Sequence, residues 1–198
     1  PVTKEEETLT FDAAGPLAAF VFKTAADPYV GKLTYLRLYS GMLKSNAHAF
    51  NSRTGTEERL GPVSIMRGRE QIPVDEVRAG DIGVVAKLGE TVTTDTLCDK
   101  GHPLILPGIE FPTPVFAVAV APKTKADSAK MGPSLTRLVE EDPTLHWRNE
   151  PGTRQVILEG MGNAHVETAV RRLEQKFGLG LETSVPKVPY KETVIKVG

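Results

Sequence analysis

The rhythm of apolar and polar positions along this chain changes once, near residue 111. Before that point, short apolar runs are separated by glycines. Gly31, Gly41, Gly55, Gly61, Gly68, Gly80, Gly89, Gly101 and Gly108 recur roughly every ten residues, the ~8–12 spacing of an all-β barrel or sandwich. Between them, Leu17–Thr24 is apolar and aromatic and Ile82–Leu88 is rich in valine. Leu33–Tyr39 alternates, with Leu33, Tyr35, Arg37 and Tyr39 on one face and Thr34, Leu36 and Leu38 on the other. No 3.6-residue apolar repeat lasts beyond two turns, so strands are expected throughout, closed into an antiparallel β-barrel. Gly31 and Gly41 fall where turns require positive φ.

After Pro107, Pro112 and Pro114, which bracket a stiff linker, the pattern differs. Val115–Ala121 is a short continuous apolar run, expected as a strand buried on both sides. Leu135, Leu138 and Val139 then take helical spacing until Pro143, which predicts a helix starting near Pro133, with 125–131 as a looser turn. Glu140, Glu141 and Asp142 end that helix, where its dipole disfavours acids. Strands are expected at Leu145–Asn149 and Gln155–Glu159, joined by the turn Glu150-Pro151-Gly152-Thr153. The strongest helix is Asn163–Phe177, with Val166, Val170, Leu173 and Phe177 in one stripe. Asn163 is placed to cap it, Gly178 to end it in the left-handed conformation, and Glu167 to support Arg171 one turn on. A strand at Leu181–Val185 closes the order β-α-β-β-α-β, the split βαβ or ferredoxin-like arrangement. The fold class is thus all-β plus α+β: a β-barrel at 15–111 and a ferredoxin-like domain at 112–190, flanked by connections at 1–14 and 191–198.

Composition narrows the function. The net charge is −1, with acids and bases near balance in both halves, so neutralising many phosphates unaided is excluded. Cys98 is the single cysteine, which rules out an internal disulfide and a cysteine-rich zinc site; a reduced, cytoplasmic setting is expected. The longest apolar run falls far short of the ~18 residues needed to span a bilayer, and the start, with Glu5, Glu6 and Glu7, has no apolar signal core. No P-loop or nucleophile elbow occurs, and Gly160-Met161-Gly162 is only a tight turn opening a helix. His48, His102, His146 and His165 have no metal-ligand spacing, and Cys98 has no catalytic signature. The chain reads as a binding module.

Several stretches are too specific for composition to explain. Gly15-Pro-Leu-Ala-Ala19, Ala26–Gly41, Ala79–Leu88 and Thr94-Asp-Thr-Leu97 resemble the second domain of elongation factor G. Pro122–Asp127, Glu140-Glu-Asp-Pro-Thr144, Gly160-Met-Gly162 with His165 and Glu167, and Pro186–Thr193 resemble its third domain. The resemblance implies a five-domain translational GTPase that moves tRNA and mRNA on the ribosome. A GTPase domain binding GTP and magnesium would precede this piece and two further domains would follow it, so no cofactor and no catalytic residue is expected in this chain. The implied partners are small-subunit rRNA, a small-subunit ribosomal protein and the GTPase domain of the same polypeptide, with no membrane and no obligate oligomer. Lys32, Arg37, Tyr39 and Ser40 are the candidates for rRNA contact, since Arg and Lys reach phosphates and Tyr stacks or donates. Lys123, Thr124, Lys125 and Asp127, with Gly160, Met161, Gly162, Asn163, His165 and Glu167, are the candidates facing the GTPase domain or ribosome. Family members usually read Gly-Glu-Leu-His-Leu-Glu where this chain has Gly162-Asn-Ala-His-Val-Glu167. The departures at Asn163, Ala164 and Val166 point to a divergent, elongation-factor-G-like paralogue. Alternatives are a ribosome-protection or stress-related GTPase of the same superfamily, and a free-standing RNA-binding module with an OB-like barrel.

Overall fold

A computed structural model describes residues 6–27 and 29–192. Glu5 of the acidic start, Pro28, and Thr193 with positions 194–198 of the closing segment lie outside them. The chain divides into two compact units, residues 1–110 and 111–198.

The first unit is all strand. In chain order it comprises β1 (Ala18–Asp27), β2 (Gly31–Ser40), β3 (Met42–Lys44), β4 (His48–Asn51), β5 (Thr56–Arg59), β6 (Val63–Arg67), β7 (Glu70–Val74), β8 (Glu76–Arg78), β9 (Ile82–Ala86) and β10 (Thr96–Cys98). Eight of these form one antiparallel sheet in the order β5-β4-β10-β1-β2-β9-β6-β7, and β3 pairs with β8. The two margins of the sheet meet around Ser45. Its N–H donates to the Asp75 carbonyl at 2.8 Å, and its hydroxyl donates to the Val74 carbonyl at 2.7 Å and accepts from the Val63 N–H at 2.8 Å. Beside it, Leu60 donates to the Ala47 carbonyl and Asn46 to that of Gly61. These bonds satisfy groups that open strand edges would expose. The barrel interior is a single apolar cluster built on Val21, Leu36, Leu38, Leu43, Leu60 and Leu97. Gly41 is obligatory: its φ is +72°, and a Cβ there would lie 2.7 Å from the Leu17 Cα. Gly31 also turns with positive φ, at +92°.

The second unit contains β11 (Phe116–Pro122), α1 (Lys125–Glu141), β12 (His146–Glu150), β13 (Gln155–Gly160), α2 (Asn163–Phe177) and β14 (Leu181–Ser184). Its sheet runs β12-β13-β11-β14 with every pair antiparallel, the split βαβ order. Leu135, Leu138, Leu145, Leu158, Val166 and Leu173 lead the core between helices and sheet.

Four local expectations are corrected. First, α1 begins eight residues before Pro133, at Lys125. Thr124 and Asp127 form a reciprocal capping box that starts the helix, and Pro133 sits exposed inside it. Second, Asn163 does not cap α2. Gly162 holds the N-cap position without a side-chain bond, and Asn163 donates to Glu167 Oε1 at 2.8 Å from inside the first turn. Glu167 is thereby engaged N-terminally, and no Glu167–Arg171 ion pair forms among the described residues. Third, β11 is buried on both faces only at its middle: Val118 and Val120 pack toward the helices, and on the opposite face Ala119 is buried while Ala117 is half-buried and Ala121 exposed. Fourth, the acids closing α1 do not stand against its dipole alone. Glu141 accepts from Lys176 at 2.7 Å and Asp142 is bonded by His165. Gly178 ends α2 at φ +59°, in the left-handed region that glycine tolerates.

Candidate functional site

In the barrel, the alternation of β2 sorts the candidates. Leu36 and Leu38 point into the core, so Tyr35, Arg37 and Tyr39 project outward. Arg37 lies opposite Phe20 of β1 and Ile82 of β9, and forms no ion pair among the described residues. Tyr39 stacks on Phe11 with ring centroids 6.0 Å apart. Lys32 is half-buried near the start of β2, on the alternate parity to Arg37. Ser40 is buried, and a Cβ on Gly15 would approach its hydroxyl to 2.6 Å, so that hydroxyl is packed against its own chain.

The outward face holds more than sequence reasoning found. Between Val21 and Lys23 the β1–β2 register slips at a β-bulge, placing Phe22 beside Tyr35, ring centroids 6.2 Å apart. The Lys23 ammonium lies 5.7 Å from the centre of the Tyr35 ring, within cation–π range. Phe22, Lys23, Tyr35, Arg37 and Tyr39 therefore form one aromatic and basic strip. A regular strand would alternate Phe22 and Lys23 to opposite faces, and no residue type in 18–27 announces the bulge.

In the second unit, the ten candidates do not form one site. The register places Phe116, the first residue of β11, opposite Gly160, the last of β13. α1 follows the far end of β11 and α2 follows Gly160. Six residue steps separate those ends, about 20 Å at ~3.4 Å per residue.

At the α1 end, Thr124 and Asp127 serve the fold. The Thr124 hydroxyl donates to Asp127 Oδ2 at 2.7 Å, the Thr124 N–H donates to it at 3.1 Å, and the Gly180 N–H reaches Oδ1 at 3.3 Å. The Thr124 hydroxyl is the leading cause that holds the Asp127 carboxyl below the usual carboxylate range; burial opposes it and the Gly180 and Thr124 amides reinforce it. The backbone N–H of Lys123 donates to the Gly180 carbonyl. The Lys123 and Lys125 side chains are exposed.

At the α2 end, His165 is the organising residue. Its Nδ1 accepts the Met161 N–H at 3.1 Å, so the proton resides on Nε2, which donates to Asp142 Oδ2 at 3.0 Å. Asp142 also accepts the Thr144 N–H and hydroxyl. Burial pushes the Asp142 carboxyl up, but the donated bonds from Thr144 and His165 outweigh it and hold the carboxyl below its ordinary value. Gly160 permits this approach, since a Cβ there would lie 3.0 Å from Val166 and 3.2 Å from His165 Nδ1. The imidazole thus ties the turn before α2 to the C-terminus of α1. Asp142 and Thr144 belong to the Glu140–Thr144 stretch already noted for its resemblance, yet acidic runs usually mark solvated faces and gave no chemical reason to single them out. Met161, Asn163 and Glu167 are exposed around this latch, and Gly162 is half-exposed with open space around its Cα.

Neither end assembles a nucleophile with a base, and among the described residues no three His, Cys, Asp or Glu side chains gather as a metal site. The arrangement presents surfaces.

Comparison with known proteins agrees with that architecture. Residues 16–100 match the family model for elongation factor G domain 2, and residues 111–185 match that for elongation factor G, domain III. The crystal structure of a protein from Thermus thermophilus is similar at 36% identity with a TM-score of 0.79, over 88% of this chain. This chain spans 26% of that protein. The matched domains lack the GTPase site of such factors. With both domain models matched in order and the barrel and split βαβ units in place, this chain belongs to the elongation factor G family and carries its second and third domains.

Proposed function

We propose that this two-domain piece works inside a larger translational GTPase, where the barrel docks on small-subunit rRNA and the split βαβ unit relays the state of the GTPase switches. GTP and magnesium would be held by a separate domain, and the protein would act in the cytoplasm, where ribosomes work. The observation that supports docking most is the outward strip of Lys23, Tyr35, Arg37 and Tyr39. It combines unpaired positive charge with aromatic faces, the chemistry that meets phosphates and unstacked bases. Near-zero net charge keeps this a small patch, so affinity would come from several domains acting together. The relay assignment rests on the α2 end. There Met161, Asn163 and Glu167 surround a turn held rigid by His165 and Asp142, so a push on that turn moves the helix pair as one body.

The test uses the full-length factor. Arg37→Glu combined with Lys23→Glu should weaken ribosome binding at least tenfold and flatten its salt dependence, leaving nucleotide binding by the GTPase domain intact. Unchanged ribosome affinity would refute the docking assignment.

A further inference from the structure

The stretch from Glu7 to Leu17, which leads into β1, folds back on the barrel and reaches the docking strip. One turn holds both of its ends. That turn follows β10 and is closed by the His102 N–H, which donates to the Asp99 carbonyl at 3.0 Å. The Leu17 N–H donates to Asp99 Oδ2 at 2.8 Å, and the Glu7 carboxylate meets His102 Nε2 at 2.9 Å. A surface loop of this length with neighbouring ends is an Ω-loop. Near its middle, Phe11 lies on Tyr39, with ring centroids 6.0 Å apart and planes inclined at 29°.

The two halves of the loop are held unequally. From Asp12 onward the backbone is fixed. The Asp12 carbonyl accepts the Gly41 N–H at 2.8 Å and the Gly15 N–H at 3.2 Å, its carboxylate accepts the Ala14 N–H at 2.9 Å, and Leu17 is buried in the barrel cluster. Residues 6–11 rest on contacts at the surface. The Glu7–His102 pair has about half of each side chain in water, and such exposed pairs contribute little. Phe11 is 67% exposed, and an aromatic pair of this kind favours the closed arrangement by about two- to tenfold.

The chemistry of the two partners matters as much as their weak hold. Residues 6–11 bring Glu6, Glu7 and Phe11, which are negative charge and a flat ring. The strip of Lys23, Tyr35, Arg37 and Tyr39 is cationic and aromatic. A single strand of RNA offers it the same combination, phosphates and unstacked bases. Phe11 occupies a face of Tyr39 on which a base would stack.

We propose that residues 6–11 are a displaceable arm: Phe11 shields Tyr39 in the free protein and gives way when an unstacked RNA base takes its place. The proposal rests on the docking reading of the strip and adds a competitor within the chain itself. Asp12 is the hinge, because its bonds to Gly15 and Gly41 hold everything that follows it. The apparent affinity of the strip is then lowered by the fraction of molecules in which the arm is closed.

The full-length factor is titrated onto isolated small ribosomal subunits at one fixed salt concentration. Tyr39→Ala should weaken binding at least threefold. Phe11→Ala, which changes no charge, should tighten it by about two- to tenfold. His102→Ala should tighten it by a smaller factor, an effect opposite to what loss of a basic side chain gives on an anionic surface. In the Tyr39→Ala background, Phe11→Ala should lose its effect, since the shielded ring is already gone. If Tyr39→Ala weakens binding while Phe11→Ala leaves it unchanged, the arm is refuted and the docking reading stands. If Phe11→Ala weakens binding, Phe11 is part of the docking surface and the arm is equally refuted. If Tyr39→Ala has no effect, docking through this ring fails and the role of the arm fails with it. A gain from Phe11→Ala that persists without Tyr39 also overturns the proposal.

Discussion

The stability of the barrel should depend on one buried carboxylate, Asp95, more than on the arginine that pairs with it. The Asp95 side chain is 1% exposed and accepts from four donors: Arg53 Nε at 2.6 Å and Nη2 at 3.0 Å, Asn51 Nδ2 at 2.8 Å, and the Val92 N–H at 2.9 Å. The Arg53 side chain is 52% exposed. In Asp95→Ala, Arg53 rehydrates, so the lost ion pair costs only about 1 kcal/mol. The Asn51 amide keeps its Thr91 partner but loses its shorter bond, about 1 kcal/mol more. The Val92 N–H is left without an acceptor, roughly 1–3 kcal/mol. The sum is about 3–5 kcal/mol. At ~4–8 °C per kcal/mol for a unit of this size, the barrel's Tm should fall by at least about 12 °C. Arg53→Ala leaves the carboxylate with Asn51, Val92 and water entering from the vacated side, and should cost about 1–2 kcal/mol. Urea unfolding followed by far-UV circular dichroism measures both variants. Trp147, the only tryptophan, lies in the second unit, so its emission reports that unit separately. Equal losses for the two variants, or a loss below about 1 kcal/mol for Asp95→Ala, would refute the assignment of the neutral donors as the main term.

Two further outcomes follow from the second unit. His165→Ala removes the acceptor of the Met161 N–H and a donor to Asp142, and should lower the stability read by Trp147 in urea by about 1–2 kcal/mol; a change confined to ribosome-linked activity would show that the latch serves partners alone. Acid should weaken both units, because Asp142, Asp127 and Glu150 in the second and Glu57 in the first have carboxyls held below their usual range. A depressed folded pKa contributes stability that is complete above the unfolded value, ~4, and is lost as pH falls through the folded one. Unfolding midpoints should therefore hold from pH 7 to about 5 and fall below about 4, and Asp142→Asn should make the second unit's profile shallower there.

What the sequence made legible follows from which features are periodic. Strand alternation at Leu33–Tyr39 and the stripe from Val166 to Phe177 are repeats with a fixed physical reading, and both elements stand where the pattern places them. The start of α1 was readable in principle, since Thr124-Lys-Ala-Asp127 is a capping box with Asp in place of Glu. Pro133 carried more weight, although an exposed proline in a long helix is tolerated when the ends are well held. The β1 bulge was not readable. It depends on how two strands slip past each other, and nothing local at Phe22 or Lys23 encodes that slip. The same limit applies to His165. Its partners lie four residues before it and 23 residues away, and only the folded unit brings Asp142 to the edge of the ring. Candidates grouped by motif likewise separated in space, because antiparallel β11 and β13 send their following helices from opposite ends.

Asn163 offers a test of whether a surface residue serves a partner or the fold. It occupies the first turn of α2, where the free amides of the helix favour negative charge, yet it is neutral. Replacing it with glutamate sets small terms against one another. A carboxylate in the first turn gains about 0.3–1 kcal/mol from the helix dipole. The Asn163–Glu167 hydrogen bond is lost, and in its place two like charges stand four residues apart, each change costing about 0.2–0.5 kcal/mol. The balance for folding is within about 0.7 kcal/mol of zero, so the Trp147 midpoint of Asn163→Glu should barely move. The local potential changes by a full negative charge beside exposed Met161 and Glu167. If this end of the unit meets the GTPase domain, that charge should alter ribosome-stimulated GTP hydrolysis in the full-length factor severalfold while stability stays constant. A stability change above about 1 kcal/mol would show that Asn163 is there for the helix, and the partner argument for this turn would fail.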